Sequence, residues 1–195
     1  MSNGKLIVFE GIDGSGKSTL STMVLNALVE RNFPIVKFNE PTNFEKGMKI
    51  RQFLRKEIHL SREQQIELFL EDRKDSLEKN VYPNIKAGNS VILDRYFYSM
   101  AAYQSDELLE PEKIIEMNIS RGYPIPDIVI YLDINPEISL ARTRRRNINE
   151  HFENLDTLKK VRQSYEKVIP KTALRLDATL PQLKLKELCI TQIIR

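Results

Sequence analysis

Residues 11–19 combine glycines, a lysine and a hydroxyl at a spacing that suits the binding of phosphate groups. Four residues separate Gly11 from Gly16, and Lys17 and Ser18 follow directly. Such glycines let successive backbone N–H groups converge on an anion, and the N-terminus of a following helix adds a partial positive charge. The lysine then reaches the terminal phosphates of a nucleotide, while the serine hydroxyl binds Mg²⁺. We therefore predict a nucleoside-triphosphate site formed by Gly11, Ile12, Asp13, Gly14, Ser15, Gly16, Lys17, Ser18 and Thr19.

The segments on either side of this loop have the patterns of a strand and a helix. Residues 5–10 are rich in Ile, Val and Phe, which is typical of a short buried strand. After the loop, Leu20, Val24 and Leu28 recur at helical spacing as far as Asn32. The order of strand, glycine loop and helix is the context that a phosphate-binding loop requires.

A second group of polar side chains follows an apolar segment in the middle of the chain. Residues 90–94 have the pattern of a buried parallel strand that ends in a carboxylate, and Arg95 follows directly. Ser99 and Tyr103 then share one face of a helical turn with Met100. Because ligands of open α/β sheets bind outside the carboxyl ends of the strands, we expect these side chains to contribute to one site.

Strand and helix patterns alternate along the whole chain. Further strands are predicted at residues 35–38, 128–132 and 173–176, with apolar residues at helical spacing between them. No internal repeat, low-complexity linker or second-domain boundary is evident. We therefore predict an α/β fold with a parallel sheet of about five strands, covered by helices on both faces, in a single domain of residues 1–195.

The longest helical pattern begins at Ser61, a plausible N-cap, and is expected to end near Asn80, before Pro83. Phe69 and Arg73 stand four residues apart on one side of it. From this pattern alone, Phe69 is predicted to lie in the core and Arg73 at the surface, because exposed arginines are ordinary on helices.

Composition and charge argue against several classes of protein. The chain has 30 basic and 27 acidic residues, and this net charge of +3 creates no strong attraction to nucleic acid or membranes. A single cysteine, Cys189, excludes an internal disulfide, and a zinc cluster is not expected because His59 and His151 lie far apart. Since neither a secretion signal nor a membrane-spanning run is evident, we expect a cytoplasmic protein without a membrane partner.

A basic run follows the helical pattern that begins at Pro136. Residues 142–146 read Arg-Thr-Arg-Arg-Arg and lead into a polar segment that ends at Asn154. A nucleic-acid-binding tail is one interpretation, but five residues inside a chain of low net charge suit it poorly. We favour a basic lid over phosphates, at approximately residues 142–154.

Taken together, these segments resemble the thymidylate kinases, a family of nucleoside-monophosphate kinases. The resemblance rests on FEGIDGSGKST at 9–19, Glu40-Pro41-Thr42, Phe69 with Arg73, DRYFYSMAAYQ at 94–104 and PDIVIYLDI at 126–134. It covers nearly the whole chain. The glycine loop alone would indicate only a fold that binds a nucleoside triphosphate, whereas the segment 94–104 is much more specific.

This resemblance implies an enzyme that transfers the terminal phosphate of ATP to dTMP with the help of Mg²⁺, and that forms a homodimer. Lys17 and the loop N–H groups would bind the ATP phosphates, while Arg95 and Arg51 would bind the acceptor phosphate through their planar forks. Ser18 and Asp94 are the expected metal ligands.

The resemblance also implies roles around the nucleoside. Phe69 matches a position that stacks on the pyrimidine, and Arg73 one that donates to a base carbonyl. Tyr103 matches a residue near the sugar that disfavours a 2′-hydroxyl, and Asp13 one near the 3′-hydroxyl and the metal. The expected substrate-binding residues are Asp13, Glu40, Pro41, Arg51, Phe69, Arg73, Arg95, Ser99, Met100, Tyr103 and Gln104.

One position in the glycine loop bears on catalysis. Family members carry a catalytic arginine either in this loop or in the lid, and here the loop position is Gly14. We therefore predict that a lid arginine closes on the transferring phosphate. The candidates are Arg142, Arg144, Arg145 and Arg146, which together with Lys17, Asp13 and Arg95 form the expected catalytic group.

The chain departs from the family pattern in three places. Residues 39–42 read Asn-Glu-Pro-Thr where Arg-Glu-Pro-Gly-Gly-Thr is usual, and residues 105–107 replace a glycine-rich continuation. Met100 stands where many relatives have a small polar residue facing the base. Because methionine is a weak acceptor, looser discrimination of the pyrimidine is expected.

Other functions are compatible with parts of the pattern. The first alternative is a kinase for another pyrimidine monophosphate, such as UMP or dUMP, and a substrate panel separates the two. A non-catalytic nucleotide-binding or RNA-binding protein is the alternative from another class, and it predicts no ADP release with any monophosphate. The joint presence of a phosphate loop and an acceptor site favours the enzyme.

Overall fold

The computed structural model of the protein describes residues 4–144 and 154–195. Five strands alternate with helices in these residues. The elements are β1 Leu6–Glu10, α1 Lys17–Val29, β2 Ile35–Asn39, α2 Glu45–Leu54, α3 Arg62–Ser76, a π-helical turn Leu77–Val81, α4 Tyr82–Lys86, β3 Ser90–Asp94, α5 Phe97–Gln104, α6 Pro111–Ser120, β4 Ile128–Asp133, α7 Pro136–Arg144, α8 Leu155–Val168, β5 Leu174–Asp177 and α9 Gln182–Ile194.

The five strands form one parallel sheet in the order β2-β3-β1-β4-β5, which confirms the predicted fold class. Every residue of β1 and β3 is buried, as in strands that are covered on both faces. Because crossover connections in parallel sheets are right-handed, α1 covers one face, where it packs against α9. On the other face α5 packs against α6 and α8.

The strand order creates a crevice at the carboxyl ends of β1 and β3. The connection after β1 leads away on one side, to β2, whereas the connection after β3 crosses to β4 on the other side of β1. Such a reversal leaves an opening between the two neighbouring strands, where ligands bind in open α/β sheets. Phe9 is paired with Asp94, so the glycine loop and the Asp94-Arg95 segment begin at the same edge.

The long helical segment that begins after Ser61 differs at its end from the prediction. The expected capping box is present, since the Ser61 hydroxyl accepts from the Gln64 N–H and the Gln64 side chain accepts from the Ser61 N–H. The helical path does not end near Asn80, however, but passes through the π-helical turn into α4. Pro83 occupies the first turn of α4, where no N–H donor is required, and therefore does not break the path.

Cys189 lies in the apolar core and is fully buried, as its setting in the sequence suggested. Within residues 4–144 and 154–195, no helix is both long enough and apolar enough to cross a membrane.

Candidate active site

A cavity of about 490 Å³ lies at the carboxyl edge of the sheet. Its wall brings together most of the side chains that the sequence predicted for two separate sites. They are Asp13, Gly14, Gly16, Lys17, Ser18, Thr19, Glu40, Pro41, Arg51, Phe69, Arg73, Arg95, Ser99, Met100, Tyr103 and Gln104. The wall also contains Leu54, Arg55, Tyr96, Thr143 and Leu158, which were not among the predicted site residues. Gly11, Ile12 and Ser15 belong to the loop but lie outside the wall.

The glycine loop has the backbone that its sequence requires. Gly14 and Gly16 have φ of +79° and +93°, values that residues with a side chain rarely adopt. Lys17 begins α1 and is buried, and its Nζ donates to the Ile12 carbonyl at 3.2 Å. The Lys17 ammonium also lies 3.7 Å from the Asp13 carboxylate. Burial lowers the pKa of Lys17 to about 8, so a buried cation that is ready to pair with an anion stands at the cavity wall.

Arg95 projects into the same cavity from the end of β3. Its φ is +73°, an uncommon conformation for a residue other than glycine and one that clusters at functional sites. The guanidinium forms an ion pair with Asp13 and donates to the Ser99 hydroxyl at 2.9 Å. Although burial acts in the opposite direction, the charges of Arg95 and Lys17 hold the pKa of Asp13 below its usual value. Arg95 and Asp13 are therefore both charged.

Tyr103 completes this group of polar side chains. Its hydroxyl donates to the Asp13 carboxylate at 2.8 Å and accepts from the Asp13 N–H at 2.9 Å. The Arg95 guanidinium carbon lies 5.1 Å from the centre of the Tyr103 ring. Asp13 from the glycine loop is thus in contact with both Arg95 and Tyr103, and the Arg95 guanidinium lies against the Tyr103 ring.

Glu10 supports this group from beneath, and it was not among the residues predicted from the sequence. The fully buried carboxylate accepts from the Tyr96 N–H at 2.8 Å, the Ser99 hydroxyl at 2.5 Å and the Tyr165 hydroxyl at 3.1 Å. Burial raises the pKa of Glu10 to about 7, although these hydrogen bonds and the charge of Arg95 act in the opposite direction. Glu10 therefore links β1 to the helices α5 and α8 that hold Arg95.

Arg73 lies in the interior, so its predicted surface position was wrong. It is 2% exposed and ends in a pocket of the cavity wall beside Phe69. Its Nη2 pairs with the Glu40 carboxylate at 2.7 Å, and its Nη1 donates to the Asn118 side-chain oxygen at 2.7 Å. Met100 Sδ lies 3.4 Å from the same Nη1. A buried arginine is tolerated here because a carboxylate and an amide oxygen accept from it.

Arg51 holds the turn that precedes α2. Its Nη2 donates to the Pro41 carbonyl at 2.5 Å, and its Nη1 donates to the Thr42 carbonyl. The buried Asp72 fixes the same turn, since it accepts from the Thr42 N–H at 2.9 Å. These contacts place Arg51 in the wall while they occupy part of its donor capacity.

Ser18 and Asp94 are the residues predicted to bind Mg²⁺. Lys37 Nζ donates to the Ser18 carbonyl at 3.2 Å and lies 3.9 Å from the Asp94 carboxylate, so both residues lie near one ammonium. Hydroxyl and carboxylate oxygens suit Mg²⁺, which usually takes few protein ligands and otherwise binds water and phosphates. Among the described residues, no group of three or more His, Cys, Asp or Glu side chains is placed to hold a metal ion. By their chemistry, the Ser18 hydroxyl and the Asp94 carboxylate fit the predicted ligand set.

The described part of the predicted lid is the end of α7. Both terminal nitrogens of Arg142 donate to the Ala178 carbonyl at 3.2 Å, so this side chain is directed away from the cavity wall. Arg144, the last residue of α7, is exposed. Arg145 and Arg146, like the rest of the predicted lid up to residue 153, lie outside the described residues.

The supporting residues differ in how visible they are in the sequence. Glu10 could have been noticed, because it ends an apolar strand as Asp94 does, at the edge where ligands bind in open α/β sheets. Asn118 lies four residues after the buried Ile114 and therefore on the inward face of α6. Tyr165 has no such signal, since an aromatic residue on an amphipathic helix is normally part of the core.

Comparison with known proteins gives a consistent result. A family model described as "Thymidylate kinase" matches residues 9–188. A curated "Thymidylate kinase" from Leptospira borgpetersenii is 48% identical over 190 residues, which cover 97% of this chain and 93% of the relative. A "Probable thymidylate kinase" from Archaeoglobus fulgidus is 38% identical, with 93% and 91% covered. A "Thymidylate kinase" from Desulfotalea psychrophila is 39% identical, with 83% and 81% covered.

Proposed function

The chain belongs to the thymidylate kinase family, and we propose that the cavity at the carboxyl edge of its sheet is where it phosphorylates dTMP. The protein is a dTMP kinase, which transfers the terminal phosphoryl group of ATP to dTMP and yields dTDP and ADP. One observation supports this location above the others. A single cavity contains the phosphate-binding loop together with Arg95, Phe69 and Arg73.

The proposed roles follow the charges and shapes of the wall. Lys17 and the loop N–H groups bind the phosphates of ATP, because they provide a buried cation and converging donors. Arg95 binds the acceptor phosphate with the donors that its neighbours leave available, and Arg51 holds the adjacent turn. An oxygen of that phosphate attacks the γ-phosphorus, and the bond to the β–γ bridging oxygen breaks. Positioned cations stabilise the charge that spreads over the phosphoryl oxygens.

The nucleoside occupies the other end of the cavity. Phe69 offers its ring to a pyrimidine, and Arg73 offers only hydrogen-bond donors, which suit a base carbonyl. Asp13 and Tyr103 lie between the two ends, where the sugar of a bound nucleotide would be. By the family resemblance, the Tyr103 ring is the group that disfavours a 2′-hydroxyl on this sugar.

Mg²⁺ is proposed as the metal partner of ATP, with Ser18 and Asp94 as its protein ligands. When bound, the metal neutralises phosphate charge during transfer. Asp94 is 6% exposed at the end of β3, and its neighbour Lys37 balances its charge. Homodimer formation, a cytoplasmic location and a single domain with a lid at residues 142–154 are further proposals. They rest on the family resemblance and on the sequence pattern.

The alternatives are less well supported. Family membership does not favour a UMP or dUMP kinase or a non-catalytic binding protein. The test is ATP-coupled ADP release with dTMP, dUMP, UMP, dCMP and dGMP in parallel, with and without a chelator. We expect the highest kcat/KM for dTMP and loss of turnover when the metal is removed. Equal rates with dTMP and dGMP would contradict the assignment of Phe69 and Arg73 to a pyrimidine site.

The pKa of Lys17 leads to a prediction about ATP binding. Below pH 8 this lysine is charged in the empty site, whereas above its pKa of about 8 it loses the proton that pairs with phosphate. If bound phosphates keep the lysine protonated, the ATP dissociation constant rises by about tenfold for each pH unit above that pKa. The pKa values of Tyr103 and Arg95, which share the cavity wall, are raised far above this range and do not interfere.

Calorimetric titration with ATP at pH 7, 8, 9 and 10 measures this dependence. The control is Lys17→Met. This variant should bind ATP weakly because it lacks the positive charge, and its ATP dissociation constant should not depend on this ionisation because methionine has no proton to lose. An ATP dissociation constant of the wild type that stays the same from pH 7 to 10 would show that Lys17 does not pair with the phosphates.

A further inference from the structure

Asn118 lies behind the pocket in which Arg73 ends. It is fully buried on α6, belongs to none of the motifs identified in the sequence and forms no part of the cavity wall. Its side-chain oxygen accepts from Arg73 Nη1 at 2.7 Å. Its side-chain nitrogen donates to the Ile114 carbonyl at 2.7 Å and lies 3.8 Å from Met100 Sδ.

The orientation of the Asn118 amide is determined by its surroundings. The Ile114 carbonyl can only accept, so the amide nitrogen must face it. The amide oxygen is then left facing Arg73, whose guanidinium can only donate. Asn118 therefore matches its two neighbours in one orientation, and rotation of the amide by 180° would place donor against donor and acceptor against acceptor.

The Arg73 guanidinium is held from three sides. Asn118 accepts from Nη1, Glu40 accepts from Nη2 at 2.7 Å, and the Tyr96 ring centre lies 5.0 Å from the guanidinium carbon. The Nε donor has no hydrogen-bond partner among the described residues, although the side chain is 2% exposed and belongs to the cavity wall. The Arg73 guanidinium can only donate hydrogen bonds, and some of its N–H groups are not used by its neighbours. It therefore lies beside the place proposed for the base with donors to offer.

We propose that Asn118 is a positioning residue for base selection, which holds Arg73 so that the pocket accepts a pyrimidine with a 4-carbonyl and rejects one with a 4-amino group. The proposal rests on the function proposed above. A 4-carbonyl accepts from the guanidinium, whereas the 4-amino group of cytosine would place donor against donor. A buried donor that is left unpaired has lost its hydration without gaining a hydrogen bond, which disfavours dCMP. Arg73 makes the contact with the base, and Asn118 acts through Arg73.

Met100 explains why selection depends on this arginine. A small polar residue at that position could accept from the N3–H of thymine, but a thioether is a weak acceptor. Met100 Sδ instead lies beside the hydrogen-bonded pair of Arg73 and Asn118, 3.4 Å from Arg73 Nη1 and 3.8 Å from the Asn118 nitrogen. Met100 therefore distinguishes poorly between the N3–H of thymine and the unprotonated N3 of cytosine. The selection between the two bases then depends on the group at their 4-position.

The test compares kcat/KM for dTMP and dCMP in Asn118→Leu, which keeps the approximate volume but removes the amide. We expect the ratio of dTMP to dCMP to fall by about 10–100-fold, within the range that one hydrogen-bonding site can discriminate. The matched control is Ser120→Ala on the same helix, whose exposed hydroxyl donates only to the Met117 carbonyl. This variant should keep the wild-type ratio.

A double-mutant cycle tests whether Asn118 acts through Arg73. In an Arg73→Met background, Asn118→Leu should not change the ratio further, because the group that it positions is gone. If the two effects on the ratio add, or if Asn118→Leu slows dTMP and dCMP equally, Asn118 has a structural role only and the proposal is wrong. Thermal unfolding of each variant identifies loss of fold, and Asn118→Ala replaces Asn118→Leu if that variant does not fold. A wild type that fails to phosphorylate dTMP would instead overturn the proposed function itself.

Discussion

Arg95→Ala is expected to lower kcat/KM for dTMP by about 10²–10³-fold, the usual effect of removing one well-placed donor from a site of developing charge. Arg95 is the arginine that the acceptor end of the cavity presents next to the phosphate loop, in contact with Asp13 and Ser99. Alanine removes the cation. Because alanine and arginine both have a Cβ, the positive φ at position 95 is about as unfavourable in the variant as in the wild type. The effect should therefore come from the lost charge and fork, and not from new backbone strain.

A second variant separates the effect of charge from that of geometry, and a third serves as a control. Arg95→Lys keeps a positive charge but loses the planar fork, so an intermediate loss is expected. Arg162→Ala is the matched control, because Arg162 also pairs with an aspartate, here Asp133 through two hydrogen bonds of 2.7 and 2.9 Å, but lies outside the cavity wall. Steady-state rates at varied dTMP measure all three variants. The assignment of Arg95 to the acceptor phosphate would be contradicted if Arg95→Ala and Arg162→Ala had equal kcat/KM.

Single alanine variants of the four lid arginines should include at least one with kcat lowered by about 10³-fold, the lower end of the effect attributed to a catalytic arginine in phosphoryl transfer. The structure supplies a physical reason why this arginine is absent from the loop. A Cβ at Gly14 would lie 2.6 Å from the Ser139 carbonyl oxygen and 2.8 Å from its hydroxyl, where φ is already +79°. Helix α7 thus excludes a side chain at position 14, and its last residues, from Arg142 to Arg144, begin the predicted lid.

The variants to compare are Arg142→Ala, Arg144→Ala, Arg145→Ala and Arg146→Ala. Arg142 also binds the Ala178 carbonyl, so its replacement is expected to lower the melting temperature as well, and thermal unfolding separates that effect from catalysis. Arg175→Ala serves as a control, because this arginine pairs with Glu166 on the surface. Turnover within twofold of wild type in all four lid variants would refute a catalytic lid arginine.

Much of the fold followed from local patterns. Buried parallel strands are short runs of apolar residues, and the glycine loop needs a defined order of residue types, so both are visible in a linear sequence. The predicted strands therefore match β1 to β5 closely, and the parallel sheet is confirmed. Pro83 misled the prediction of a helix end because its consequence depends on the π-helical turn before it, which no local pattern indicated.

The candidate active site also has features that local residue types predict and features that they do not. The residue types at positions 11–19 were sufficient to predict a phosphate loop, and those at 94–104 a group of polar side chains at the sheet edge. The base pocket at residues 69–73 and the acceptor role of Arg95 came only from the family resemblance. The resemblance that these positions carry led to the correct family. Chemical identity is local, and a residue's possible donors, acceptors and charge can be read from its type.

The partners of those residues were decided by the tertiary structure. Glu10 and Tyr165 are 155 positions apart yet share a hydrogen bond beneath Arg95, and Asn118 meets Arg73 across 45 positions. Arg73 was predicted to lie at the surface because the sequence around it does not reveal its partners. These are the Glu40 carboxylate and the Asn118 amide, which make its burial tolerable. The sequence alone determined which groups could bind phosphate and base. Only the packing of distant elements decided which of them are buried, charged and held in place, because desolvation and hydrogen bonding depend on neighbours in space.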